Sequence, residues 1–139
     1  TGRMIRSILR YETLIDVAKT EAQRTEFQLA IRTFDEAMKS KPEYLALTEE
    51  GERLRKFLQL QSQPVTVTLI SDGSTWVSVQ GPSMRKPEKF DSATVNLLPG
   101  KYFVIGRKKG YQDVRFGIQI RGGMQQEPIN VSATVKNDY

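Results

Sequence analysis

The sequence predicts an α+β protein. A helical hairpin or three-helix segment over about residues 3–62 is followed by a small antiparallel β-sandwich of about six strands over about 64–136. Three observations carry this reading. Between Arg3 and Lys41 there is no glycine or proline, and apolar residues recur at steps of three and four. After Pro64 the apolar period changes to two. The alternating runs are short and punctuated by Gly, Pro, Asp and Ser, the pattern of strands joined by turns.

The helical half has three parts. Met4, Ile8, Tyr11, Ile15, Ala18 and Ala22 form one stripe, and Phe27, Ala30, Ile31, Phe34, Ala37 and Met38 form a wider one. The two could run on as one long helix, but a break at Gln23-Arg24, with Thr25 and Glu26 capping a second helix, is the favoured reading. Pro42 pushes Lys41 out of helical geometry and ends the second helix. Pro42 also suits the first turn of a third helix, whose seam would be Tyr44, Leu47, Gly51, Leu54 and Leu58, widened by Phe57. The seam through Tyr44, Leu47, Leu54 and Leu58 is the expected docking face for the first two helices or for a second copy of the chain. Leu54→Asp is then expected to unfold or dissociate it.

The strands follow in order. Val65, Val67 and Leu69 alternate in the first, and Ser71-Asp72-Gly73-Ser74 is a turn signal. Residues 76–79 make a second strand, and 80–89, with Gly81, Pro82 and Pro87, reads as an exposed loop. Ala93, Val95 and Leu97 mark a third strand, Leu98-Pro99-Gly100 a tight turn, and 101–107 a fourth strand. Val114, Phe116, Ile118 and Ile120 alternate as a fifth, Gly122-Gly123 turns the chain, and Ile129, Val131, Ala133 and Val135 form a sixth.

The block Leu97-Leu98-Pro99-Gly100-Lys101-Tyr102, followed by Lys109-Gly110-Tyr111, resembles the PEGA domain family over about residues 64–136. That family's pattern is a strand, a Pro-Gly turn, a strand with an early aromatic, and a Gly-Tyr before the next strand. The Pro-Glu-Gly-Ala tetrapeptide that names it is absent here, and the 80–90 connection is irregular. The resemblance implies a β-sandwich accessory module, of a kind often found in bacterial and archaeal surface or envelope proteins, with no catalytic residues to carry over. In that pattern Gly100 turns a hairpin, Tyr102 enters the core, and Gly110 bends the backbone so that Tyr111 covers the end of the sandwich. Ala30, Phe34, Ala37 and Pro42 resemble the second helix of a tetratricopeptide-type hairpin, of which one unit is visible. A coiled-coil-like stalk and an ordinary helical hairpin remain the alternatives.

Composition narrows the chemistry. The chain has no cysteine and no histidine, so disulfides, thiolate sites and the commonest general base and metal ligand are missing. Asp35-Glu36 and Glu49-Glu50 point about 100° apart on a helix and do not converge. Asp72 lacks the spaced oxygen ligands of a calcium loop. Gly106 and Gly122-Gly123 precede no helix, so no phosphate loop is supported. The expectation is a non-enzyme with no cofactor and no metal. No run approaches the ~20 apolar residues that span a bilayer. Thr1 is not an initiator methionine and the helical pattern is under way by Met4, so any signal or anchor is expected upstream of Thr1. Placement outside the cytoplasm, in the periplasm or at the cell surface, is the expectation.

The net charge is +5, and the excess lies after residue 63. Arg107, Lys108 and Lys109 lead into Tyr111, with Lys101 and Arg115 near in sequence. Basic residues interleaved with aromatics suit nucleic acid or an anionic surface. Alternation along the fourth strand would send Arg107 and Lys109 to one face and Lys108 to the other. Trp76, the single tryptophan, is out of phase with Val77 and Val79 and faces outward if they face the core; it is a candidate interface or sugar-stacking residue, with cover of the sandwich edge or docking against the helices as the more ordinary role. The expected partners are one or more proteins, with a helix-driven homodimer, a cell-wall or glycan contact, and nucleic acid as further readings.

Overall fold

A computed structural model describes residues 2–137. The chain divides into two compact units between Gln63 and Pro64.

The first unit holds α1 (Gly2–Gln23), α2 (Phe27–Ser40) and α3 (Glu49–Leu60). The helices meet where side chains are small. Ala18, Ala30 and Ala37 are fully buried, with Phe34 and Leu58 beside them, and Ile15, Ala22, Ile31 and Leu54 pack around this centre. Phe27 meets Phe57 edge to face at 5.6 Å. The break falls where expected, but Thr25 does not cap α2. It ends α1 in the left-handed conformation, φ 63°. The Glu26 N–H donates to the Glu21 carbonyl and the Thr25 N–H to that of Ala22, the paired bonds of a Schellman C-terminus. Glu26 is the residue before α2, and its side chain makes no capping bond.

The third helix is shorter than its apolar spacing predicts. It starts at Glu49, because Thr48 caps it by accepting from the Gly51 N–H at 3.1 Å and Glu49, Glu50 and Glu52 load its first turn with negative charge. Tyr44 and Leu47 therefore lie in the connection rather than on a helical seam, and Tyr44 is 64% exposed. The Lys41 ammonium donates to the Pro42 and Leu45 carbonyls and ties this connection to the end of α2. Leu54 and Leu58 remain on α3 and pack within the unit.

The second unit has seven strands: β1 (Val65–Ile70), β2 (Trp76–Gln80), β3 (Arg85–Glu88), β4 (Ser92–Leu97), β5 (Gly100–Arg107), β6 (Val114–Ile120) and β7 (Ile129–Asn130). One sheet has the order β4-β1-β7, the other β3-β2-β5-β6. All pairings are antiparallel except β1 with β7. Alternate residues of both sheets, among them Val67, Leu69, Val77, Val79, Leu97 and Val104, share one core, so the architecture is a β-sandwich.

Both turn signals flanking the core have a different role from the one their residues suggest. Leu98-Pro99-Gly100 is not a hairpin: β4 and β5 belong to different sheets, and the turn carries the chain across the sandwich. Residues 71–75 do the same between β1 and β2. Tyr102 locks the 98–100 crossover. Its buried hydroxyl donates to the Leu98 carbonyl and accepts from the Ser83 N–H at 3.1 Å, while Ser83 Oγ accepts from the Leu98 N–H at 2.9 Å. This closed ring of bonds is a tyrosine corner, which pins a crossing strand to its own entry.

A seventh strand, β3, occupies the predicted loop. Its residues Arg85-Lys86-Pro87-Glu88 are all exposed, so no burial pattern marks it, and proline is tolerated because the strand is an edge. The last strand is shorter than predicted. Beyond Asn130 the Val131 N–H still donates to the Ile70 carbonyl at 2.8 Å, but the Ala133 N–H donates instead to the buried Thr75 hydroxyl at 3.2 Å, so pairing with β1 ends while both side chains stay buried. Val135 is 57% exposed.

Candidate interaction face of the four-stranded sheet

Strand alternation and pairing register build this site. With Val77, Val79, Tyr102 and Val104 turned into the core, Trp76, Ser78, Gln80, Lys101, Phe103, Ile105 and Arg107 point outward. Register places Trp76 opposite Arg107, Ser78 opposite Ile105, and Gln80 opposite Phe103. On β6, Arg115 lies opposite Ile105. Three strands, β2, β5 and β6, therefore contribute to one surface.

Two large aromatics lie open on it, Trp76 at 48% and Phe103 at 50% exposure. Each has a cation over its ring: Lys89 Nζ is 4.8 Å from the Trp76 ring centre, and the Arg115 guanidinium is 4.7 Å from that of Phe103. Beside them runs a trough of about 480 Å³. Ser78 and Ile105 contribute to its lining, with Met84, Arg85, Lys86 and Pro87 on the β3 side and Arg107 on the other. The trough exists because a small side chain at Ser78 sits between strands that carry long ones.

The outer face of the three-stranded sheet differs. Thr66, Ser92, Thr94 and Asn96 are exposed there, and Thr66 Oγ1 bonds Asn96 Oδ1 at 3.1 Å. One face of the sandwich is thus mainly Thr, Ser and Asn, with Ile70 its one exposed large apolar side chain among the described strand residues, while the other carries aromatics, Met84 and a cationic rim.

The residues singled out by sequence separate into two groups. Trp76 faces outward, as its phase requires, and Arg107 stands across from it, 3.5 Å from Asp113. Lys108 and Lys109 are not on that face. The strand ends at Arg107, so the expected alternation through Lys109 does not apply: Lys109 lies exposed in the β5–β6 turn. Lys108 is held at the end of the sandwich, 3.6 Å from Asp72 and 4.4 Å from the Tyr111 ring centre. Tyr111 is half-buried and bridges to Lys136. Gly110 takes φ 84° in the turn that delivers it.

Asp72 organises this end. Its carboxylate accepts from the Ser74 and Thr75 N–H groups, both at 2.9 Å, and from the Thr75 hydroxyl at 3.0 Å. The Ser74 N–H foremost, then Thr75 and Lys108, hold its pKa below the usual carboxylate value against a smaller opposing effect of burial. Lys108 is therefore part of a structural junction between the β1–β2 crossover and the β5–β6 turn.

Phe103, Met84, Lys86 and Lys89 were not grouped by sequence reasoning, and Arg115 was placed only with the basic cluster at 107–109. The outward phase of Phe103 was legible, since it alternates with the buried Tyr102 and Val104. Its proximity to Arg115 depends on strand order, and register sets it at the other end of the β2–β5 pair from Trp76. Among the described residues no group of three or more acidic side chains is placed to hold a metal ion. Among the described residues no helix is long and apolar enough to cross a membrane. Compared with protein-family models and with curated proteins, the chain matches none.

Proposed function

We propose that the chain is a non-enzymatic protein-interaction module of a bacterial cell-envelope protein, and that the outer face of the four-stranded sheet makes the contact. The observation that carries this is the asymmetry of the sandwich. Two half-exposed aromatics, an exposed methionine and a cationic rim share one outer face, while the other outer face is mainly Thr, Ser and Asn. Exposed aromatics are enriched at protein interfaces, because they bury a large area for few lost rotamers. The envelope setting rests on the likeness of the Leu97–Tyr102 and Lys109–Tyr111 blocks to envelope accessory modules. The helical unit would serve as a spacer or docking element. Leu54 and Leu58 are used in its own packing, so self-association through them is not part of this reading.

A second reading, single-stranded nucleic acid, is favoured by the same mixture of aromatics and cations. Stacking would require a free ring face, and Lys89 and Arg115 already lie over those of Trp76 and Phe103. The same cover at Trp76 weighs against sugar stacking.

The test is positional. A photo-crosslinking residue is placed at Phe103 in the full-length protein in its native cell, and a matched one at Thr66 on the other sheet. A discrete protein adduct from 103 that is absent from 66, in an envelope fraction, is the expected result. Adducts from 66 alone, or none from 103, would refute the face. Recovery of the 103 adduct in the cytoplasmic fraction would refute the envelope setting.

A further inference from the structure

We infer that the trough along β2 binds an extended, acidic polypeptide segment of a partner. The inference rests on the interaction face proposed above and assigns its ligand chemistry. Three features lead to it. The first is shape. The trough lies between β3 and β5, with Ser78 of β2 between them, so it follows a strand direction. A five-residue strand is about 17 Å long, which matches about five residues of extended chain. The second is the floor. Ile105 points away from the core yet is only 8% exposed, so an apolar patch lies recessed beneath walls that carry Met84 and Pro87 together with Arg85, Lys86 and Arg107. Side chains of an extended segment alternate, and every second one can reach such a floor.

The third is charge. Arg85 and Arg107 are matched by Glu88 at 3.7 Å and Asp113 at 3.5 Å. Lys86 on the same wall, and Lys89 and Lys101 nearby, are in no ion pair among the described residues. The trough therefore has a positive excess that carboxylates of a bound segment would neutralise. A second copy of this sheet face would bring like charges together. Nucleobases would have to displace the cations from the aromatic rings.

Trp76 stands at the end of β2 and is the only tryptophan, so its emission reports occupancy directly. The test uses the full chain and three labelled probes: a peptide of alternating glutamate and leucine, the same peptide with glutamine for glutamate, and oligothymidylate. The expected result is saturable binding of the acidic peptide with a shift in Trp76 emission, weakening as salt rises. Lys86→Glu with Arg107→Glu should weaken it by about tenfold or more, the scale of two exposed charge contacts. Ser78→Tyr, which fills the trough while keeping a good strand residue, should abolish it. Unchanged far-ultraviolet circular dichroism and melting confirm that each variant folds. Equal binding of the glutamine peptide would overturn the acidic assignment. Tighter binding of oligothymidylate, or binding unaffected by Ser78→Tyr, would overturn the peptide or the trough, and no binding by any probe would overturn the whole inference. An adduct at Phe103 in cells would survive that last outcome, so the two claims fail separately.

Discussion

Tyr102→Phe isolates the contribution of the hydroxyl that locks the β4–β5 crossover. The ring is 2% exposed and stays in place, so apolar burial is nearly unchanged. What disappears is a donor to the Leu98 carbonyl and an acceptor for the Ser83 N–H. Each bond contributes about 1 kcal/mol net, and a buried partner left unpaired costs about 1–3 kcal/mol. The expected loss is therefore about 2–4 kcal/mol, a large fraction of the stability of a domain this small. Urea unfolding followed by Trp76 emission reads the β unit, because the helical unit has no tryptophan. A midpoint lower by about 2 M with an unchanged slope is expected. Ser83→Ala removes the third bond of the ring, to the Leu98 N–H. The double variant should lose less than the two singles together, by about 1 kcal/mol, since either change frees the same loop. The same hydroxyl gives a pH signature. Burial, opposed by the Ser83 bonds, raises its pKa above the usual 10. Its contribution is intact below the unfolded value and lost as pH rises through the folded one, because only the unfolded chain has yet released the proton. Tyr102→Phe should lose this alkaline decline. A loss below about 0.5 kcal/mol, with additive singles and the alkaline decline retained, would refute the locked corner.

Other perturbations separate steric, conformational and electrostatic effects. Gly81→Ala should cost about 2–3 kcal/mol, since a Cβ there would lie 2.3 Å from Tyr102 Cδ1 and 2.8 Å from the Lys101 carbonyl. Gly110→Ala meets nothing within 4 Å but holds φ 84°, so it should cost only about 1 kcal/mol; equal urea midpoints for the two variants would contradict the clash. Asp72→Ala should destabilise the β unit by about 1–3 kcal/mol near neutral pH. Because its folded pKa is depressed, the carboxylate's contribution is present above its unfolded value near 3.8 and fades as pH falls through the folded one. The gap between variant and wild type should therefore narrow in acid, and a gap independent of pH would rule out the carboxylate as its source. Leu58→Ala, at a 4% exposed position, should cost the helical unit about 2–5 kcal/mol. Thermal melting followed by helical circular dichroism checks it, and an unshifted curve would remove Leu58 from the packing centre.

Much of the architecture is local and was legible as such. Periods of 3.6 and two separate the helical and β halves, because they report which face each element buries. The outward phase of Trp76 follows from the same rule. Where reading by spacing failed, a cap or a backbone requirement prevailed. Tyr44 and Leu47 continue the apolar steps of α3, but the Thr48 cap sets the helix start. That signal was present, as a threonine before a glutamate-rich turn. Thr25 looked like an N-cap, yet it serves as a left-handed C-terminus, a position that usually takes glycine. No composition cue marks β3, since an edge strand with all four residues exposed carries no burial pattern.

By itself the sequence determined that helices precede strands, the inward and outward phase of the strands it revealed, and the missing histidine and cysteine chemistry. Only the tertiary structure decided which strands pair. The Pro-Gly and Asp-Gly signals say that the chain turns, but a hairpin and a sheet crossover need the same local residues. The choice between them rests on which core the next strand can fill and on distant partners such as Ser83 for Tyr102. For the same reason the interaction face could not be read in advance. Trp76, Phe103, Ile105 and Arg115 come together through hydrogen-bond register across β2, β5 and β6, a long-range property absent from any local window of sequence.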